Sequence, residues 1–181
     1  MSFTIKEMKI MNIRLVLPSA EYEDKIWNYK KAFELAGEEP HGTASLNSAT
    51  DFETWLKNTL GEMNEETVRP GLVPAWTFLA VDENDEVVGM INIRHRLSEY
   101  LFNFGGHIGY SVSPLHRRKG YGAEMLALGL QEFRKLGINN CLITCNKNNI
   151  ASAKTILHNG GVLENEVINN GETIQRYWIT L

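Results

Sequence analysis

The stretch HIGYSVSPLHRRKGYGAEML, His107 to Leu126, constrains this chain more than any other. It passes from an alternating run, HIGYSV, into a helix whose Leu126, Leu130 and Phe133 share a face. Between the two stand the cations Arg117, Arg118 and Lys119, followed by Gly120 and Gly122. Strand, basic glycine turn and helix together make an anion site. The first amides of a helix have no partner inside it, the macrodipole adds partial positive charge, and glycine lets the backbone approach a ligand closely. A solvated basic turn is the plainer reading of the same residues.

The surroundings set the architecture. NIRLVLP reads as a strand ended by Pro18, and Ser19 as the N-cap of a helix that carries Tyr22, Ile26, Tyr29 and Phe33 on one face and stops at Gly37. TDFE, Thr50 to Glu53, reads as a capping box for a second helix with Phe52, Trp55, Leu56 and Leu60. AWTFLAV and VVGMINIRH flank the acidic turn DENDE as a hairpin, and HIGYSV follows as a third strand. The long helix ends near Leu136 before Gly137. INNCLITC reads as a buried central strand, Asn149 caps a short helix, and the C-terminal residues form a hairpin around Asn169-Asn170-Gly171. Strand, two helices, three strands, helix, strand, helix and two strands predict an α/β (α+β type) fold. Its central sheet is mixed and mostly antiparallel, with helices packed on it. Residues 1–181 are expected to form a single domain.

The chain carries a net charge of −4, which argues against nucleic acid held by bulk charge; no nucleic-acid partner is expected. No stretch reaches the length of a membrane span, so no membrane partner is expected either. The first residues, MSFTIKEMKI, lack the apolar region of a secretory signal. Cys141 and Cys145 read as buried free thiols rather than a zinc site or a disulfide. No metal is expected, and the expected location is cytoplasmic.

Two phosphate-binding signatures fail on the residues. The P-loop pattern G-x-x-x-x-G-K-[ST] is absent. The dinucleotide fingerprint would need a small residue where Met125 stands, and an acidic residue after the next strand, which ends instead in CNKNN. A pyrophosphate held between strand end and helix start remains. RRKGYG, Arg117 to Gly122, in register with GHIGYSVSP, CLITC and NNIASAKTILHNGG, resembles the acetyl-CoA pyrophosphate loop of the GNAT superfamily of N-acetyltransferases, over about residues 75 to 165.

The resemblance implies a GNAT-like sheet with splayed strands that hold acetyl-CoA as co-substrate. Backbone amides of Arg118, Lys119, Gly120, Tyr121, Gly122 and Ala123 would cradle the pyrophosphate, with Arg117 to Lys119 assisting by charge. Free backbone groups of Ser111, Val112 and Ser113 would pair with pantetheine, and the Ser111 amide would face the thioester oxygen. An aimed N–H there stabilises the oxyanion formed on attack. Asn149 and Ser152 match the family's polar positions near the cofactor, although Asn149 is equally a helix cap. Some members place a Glu near the position of His107. A histidine titrates near neutrality, and strand alternation would put His107 on the face of Gly109 and Ser111, where glycine leaves room for a substrate. A structural histidine is the alternative, and Glu99 and His95 are weaker candidates. The family's Tyr acid falls on Ile156, so that acid is in doubt; a thiolate of pKa about 8.5 can leave without one. Tyr110 and Tyr121 are further phenols nearby.

The resemblance therefore implies an N-acetyltransferase that moves acetyl from acetyl-CoA to a primary amine by direct attack in a ternary complex. The alternative is a non-catalytic acyl-CoA-binding module of the same fold. The acceptor, a small-molecule or protein amine, would meet the two N-terminal helices and LSEYLFNF. Tyr22, Trp27, Tyr29 and Trp55 lie there, though aromatics at helical spacing also build cores. A homodimer is left open.

Overall fold

A computed structural model describes residues 12–181; the stretch MSFTIKEMKI, read above for a secretory signal, lies outside them. Among these residues seven strands and four α-helices follow in the order β1 (Arg14–Val16), α1 (Glu23–Ala36), α2 (Phe52–Gly61), β2 (Ala75–Val81), β3 (Val87–Arg94), β4 (Ile108–Val112), α3 (Tyr121–Arg134), β5 (Asn140–Asn146), α4 (Ile150–His158), β6 (Val162–Asn169) and β7 (Glu172–Thr180). β1-β2-β3-β4 form one antiparallel sheet and β5-β7-β6 another. The two meet between β4 and β5. There the His107 N–H donates to the Leu142 carbonyl at 2.7 Å, and no ladder continues the pairing among the described residues.

Helices cover both faces of the first sheet. α3 buries Met125, Leu126, Leu130 and Phe133 in a cluster shared with Ile91, Ile93 and Ile108 of the first sheet and Cys141, Ile143, Tyr177 and Ile179 of the second. One helix stripe thus binds the two sheets into one core. On the opposite face Ile26, Tyr29, Phe33, Phe52 and Trp55 of α1 and α2 pack on Leu79, Val81 and Met90. The aromatic residues at helical spacing are core, with Trp27 and Tyr22 partly exposed beside it.

Two helix starts differ from expectation. Asp51, not Thr50, caps α2, accepting the Thr54 N–H at 2.8 Å; the reciprocal box over TDFE does not form. Ser19 opens only a single tight turn, Ala20–Tyr22, and does so through its carbonyl, which accepts the Tyr22 N–H at 3.1 Å. Both cysteines are buried and free, and burial raises the pKa of each thiol.

Candidate functional site

β4 runs into the tight turn Pro114–His116 and then into α3, whose N-cap is Gly120 at φ 92°. Arg118 is also left-handed, at φ 59°, and Lys119 between them is not. That alternation is the backbone form that gathers successive N–H groups into an anion-binding concavity. The amides of Arg118 through Ala123 meet no hydrogen-bond acceptor among the described residues; the first bond at this end runs from the Glu124 N–H to the Gly120 carbonyl at 3.3 Å. Six consecutive donors at the positive end of a helix dipole are therefore open.

The three cations divide. Arg118 and Lys119 are exposed and pair with no carboxylate among the described residues. Arg117 is committed elsewhere. Its guanidinium makes a two-pronged bond to Glu38, at 2.9 and 2.6 Å, and its Nε reaches the Val112 carbonyl at 3.3 Å. The Arg117 hydrogen bonds hold the Glu38 carboxyl below the usual carboxylate range. Arg117 thus ties the loop to the end of α1, and its charge is already paired.

The strand also departs from expectation. The Arg94 N–H donates to the His107 carbonyl at 2.8 Å and the Ser113 N–H to the Val88 carbonyl at 2.9 Å. With Met90 opposite Ser111 and Asn92 opposite Gly109, antiparallel alternation turns the amides of Gly109, Ser111 and Ser113 toward β3. Those of Tyr110 and Val112 turn toward the gap before β5. Ser111 and Ser113 therefore offer no free amide, and Ser111 cannot supply the N–H expected at a thioester; the free amides of this strand are those of Val112 and Tyr110. The Ser111 hydroxyl instead donates to the His41 carbonyl at 2.6 Å and lies 2.8 Å from the Tyr29 hydroxyl.

His107 faces the other way from Gly109 and Ser111. Gly106, at φ 66°, interrupts the strand geometry just before it. The imidazole is buried edge-on against Phe133, with ring centroids 4.9 Å apart, and Nδ1 accepts the Leu142 N–H at 3.0 Å. Burial, aided by the Arg94 charge, pushes its pKa down to about 4. This geometry gives a structural histidine that pins β4 to β5, not a base facing a substrate. Nor does Gly109 leave substrate room. A Cβ there would stand 3.2 Å from Arg94 Nη2 and 3.5 Å from the Gly42 Cα, and a Cβ on Gly42 would overlap the Gly109 carbonyl.

On the gap side, Asn149 Oδ1 accepts the Ser152 N–H at 3.0 Å, so the cap is made. The Ser152 hydroxyl lies 3.0 Å from the Tyr110 hydroxyl, whose pKa burial pushes up to about 12. Ile156, in the place of the family's Tyr, is fully buried.

On the α1/α2 face, beside Gly109, a cavity of about 580 Å³ opens between the loop around His41 and residues Asn92, Arg94 and Tyr100. Sequence reasoning missed His41 and Arg94. His41 sits between Pro40 and Gly42 in a polar loop, with no periodicity to mark it. Arg94, at a strand end, reads as an ordinary surface cation. Glu99 and His95 take no place on the wall of this cavity. Among the described residues no group of three His, Cys, Asp or Glu side chains could hold a metal, and no helix is long and apolar enough to cross a membrane.

No curated protein matches the chain. Solved structures of similar fold include the ribosomal α-N-protein acetyltransferase RimL in complex with coenzyme A, at TM-score 0.68 and 16% identity, covering 96% of both chains. The microcin self-immunity acetyltransferase MccE, in complex with acetyl-CoA and AMP, gives TM-score 0.65 and 18% identity over 96% of this chain and 94% of that one. A spermidine N-acetyltransferase chimera that includes Vibrio cholerae sequence gives 0.62 and 16%, over 93% and 94%. At these identities the likeness is one of fold. The sequence model of the acetyltransferase (GNAT) domain matches residues 14–162, from β1 through α4 with the glycine turn before α3 between them, and the chain belongs to that family.

Proposed function

We propose that the protein transfers an acetyl group from acetyl-CoA to a primary amine by direct attack in a ternary complex. The observation that carries this reading is the row of open amides from Arg118 to Ala123, continuous with the gap into which Tyr110 and Val112 turn their amides. The first would hold a pyrophosphate, with Arg118 and Lys119 adding charge. The second would pair with the pantetheine arm, and one of its N–H groups would face the oxyanion as the amine nitrogen bonds to the thioester carbon and the C–S bond breaks. The amine must attack as the free base. With His107 turned into the core, its proton leaves toward the cavity wall that carries His41. The buried thiols do not enter, so no acyl-cysteine is formed. The location, by this reading, is cytoplasmic.

Coenzyme A at a hundred times its Kd should stabilise the fold by about 2.7 kcal/mol through linkage. A thiol-release assay over an amine panel should then show turnover. A melting temperature unmoved by acetyl-CoA and by CoA would reject the reading. CoA binding with no turnover across the panel would favour an acyl-CoA-binding module instead.

A further inference from the structure

We propose that the acceptor amine carries a carboxylate, and that Arg94 binds it in the cavity beside Gly109. The inference rests on the acetyl-transfer reading above and names the acceptor class for it.

Arg94 ends β3 with its guanidinium mostly buried. Nη1 donates to the carbonyls of Gly105 and Gly106, at 2.9 Å each. Those two neutral acceptors fix the pose of the group and leave its charge uncancelled. No carboxylate lies within ion-pairing distance among the described residues. The other arginine on the cavity wall, Arg69, is already paired with the buried Glu62. Glu39 stands exposed at the rim.

A guanidinium stays protonated even where burial opposes its charge, and a buried cation is normally found with a partner. Here Nη2 and Nε have none among the described residues. Nη2 lies over β4, 3.2 Å from where a Cβ on Gly109 would stand, so the free edge belongs to the same part of the molecule as the proposed reaction centre. Nε and Nη2 present two parallel donors, the match for a carboxylate. A dianionic phosphate fits less well, because one guanidinium would have to offset two charges with Glu39 exposed at the rim. The cavity, about 580 Å³, is of small-ligand size, and Asn92, Ser98 and Tyr100 add polar groups to its wall.

The test is thiol release at saturating acetyl-CoA on matched pairs: α-amino acids, and the amines left when each loses its carboxylate. Wild-type kcat/KM should favour the carboxylate member by roughly tenfold or more, the effect of one charge-assisted pair, carried mainly by KM. Arg94→Gln should remove most of that preference with the KM for acetyl-CoA unchanged, and Arg94→Lys should restore part of it. Equal or better use of the decarboxylated amines by the wild-type protein overturns the proposal, as does a preference that survives Arg94→Gln. If Arg94→Gln does not fold, the wild-type pairs decide alone. If no amine is turned over although CoA raises the melting temperature, the transfer reading fails. The subsite is then judged on the CoA complex: N-acetyl amino acids should raise its melting temperature and their C-terminal amides should not. Equal shifts overturn it.

Discussion

His107 shows how one residue can connect two sheets. Its ring lies against Phe133 and its Nδ1 takes the Leu142 N–H, an acceptor role that requires the neutral imidazole. Its pKa falls from 6.5 to about 4 on folding. The unfolded chain therefore binds more protons between those values, and stability falls as pH drops through that window. Full protection is present above pH 6.5. Below pH 4 the loss reaches about 3 kcal/mol at most, at 1.36 kcal/mol per unit. Urea midpoints at pH 7, 5.5 and 4.5 should show this decline, and His107→Gln should flatten it; an equally steep decline in the variant would mean other groups cause it. The sequence could not place this ring. Alternation counts faces correctly only while backbone geometry stays regular, and Gly106 breaks it one residue earlier. Arg94 escaped for a related reason: what distinguishes it is the absence of a partner, and partners are set by tertiary contact.

At the scale of elements, the glycine turn with its row of open amides is legible because it is made of backbone. Glycines and a strand-to-helix change in period are sequence features, and the free amides follow from them. The side-chain assignments were less secure. The resemblance gives Arg117 a charge-assisting place at the pyrophosphate, but a chain cannot be read for the Glu38 that meets it from just past α1. Caps fell between these cases. Thr50 and Asp51 are both good N-caps, and only the helix start at Phe52 selects Asp51. Asn149 reads as a cap and is one, and its bond to the Ser152 N–H gives a prediction. Asn149→Ala should lower stability by about 1 kcal/mol, while Asn149→Asp, which keeps the acceptor, should restore most of it. Denaturant melts check this, and equal losses in both variants would show that the cap bond contributes little.

Over the whole molecule, the order of elements read from periodicity matches the fold, and the gap between the sheets does not emerge from periodicity at all. INNCLITC looks like any central strand, and the split depends on where β4 and β5 stop pairing. Two sheets joined at one point would be expected to unfold separately if each had its own core. Here the core is shared: α3 places Phe133 and its neighbours against strands of both. Phe133→Ala should cost about 3–5 kcal/mol and still give one calorimetric transition. Two resolved transitions in the wild-type protein would contradict a shared core.

The loop that forms the inner wall of the cavity is seated on β4 through main-chain atoms, the His41 carbonyl under the Ser111 hydroxyl and the Gly42 backbone against Gly109. A seat made of backbone is indifferent to most of the side chains that ride on it. Substitutions at His41 can therefore reshape the wall while the strand beneath keeps its register, whereas Ala44 and Ser45, left-handed at φ 49° and 64°, accept few other side chains. By the acetyl-transfer reading, variation at His41 would change acceptor fit and proton removal together while the donor side stays in place, so this one position of the loop joins the two properties.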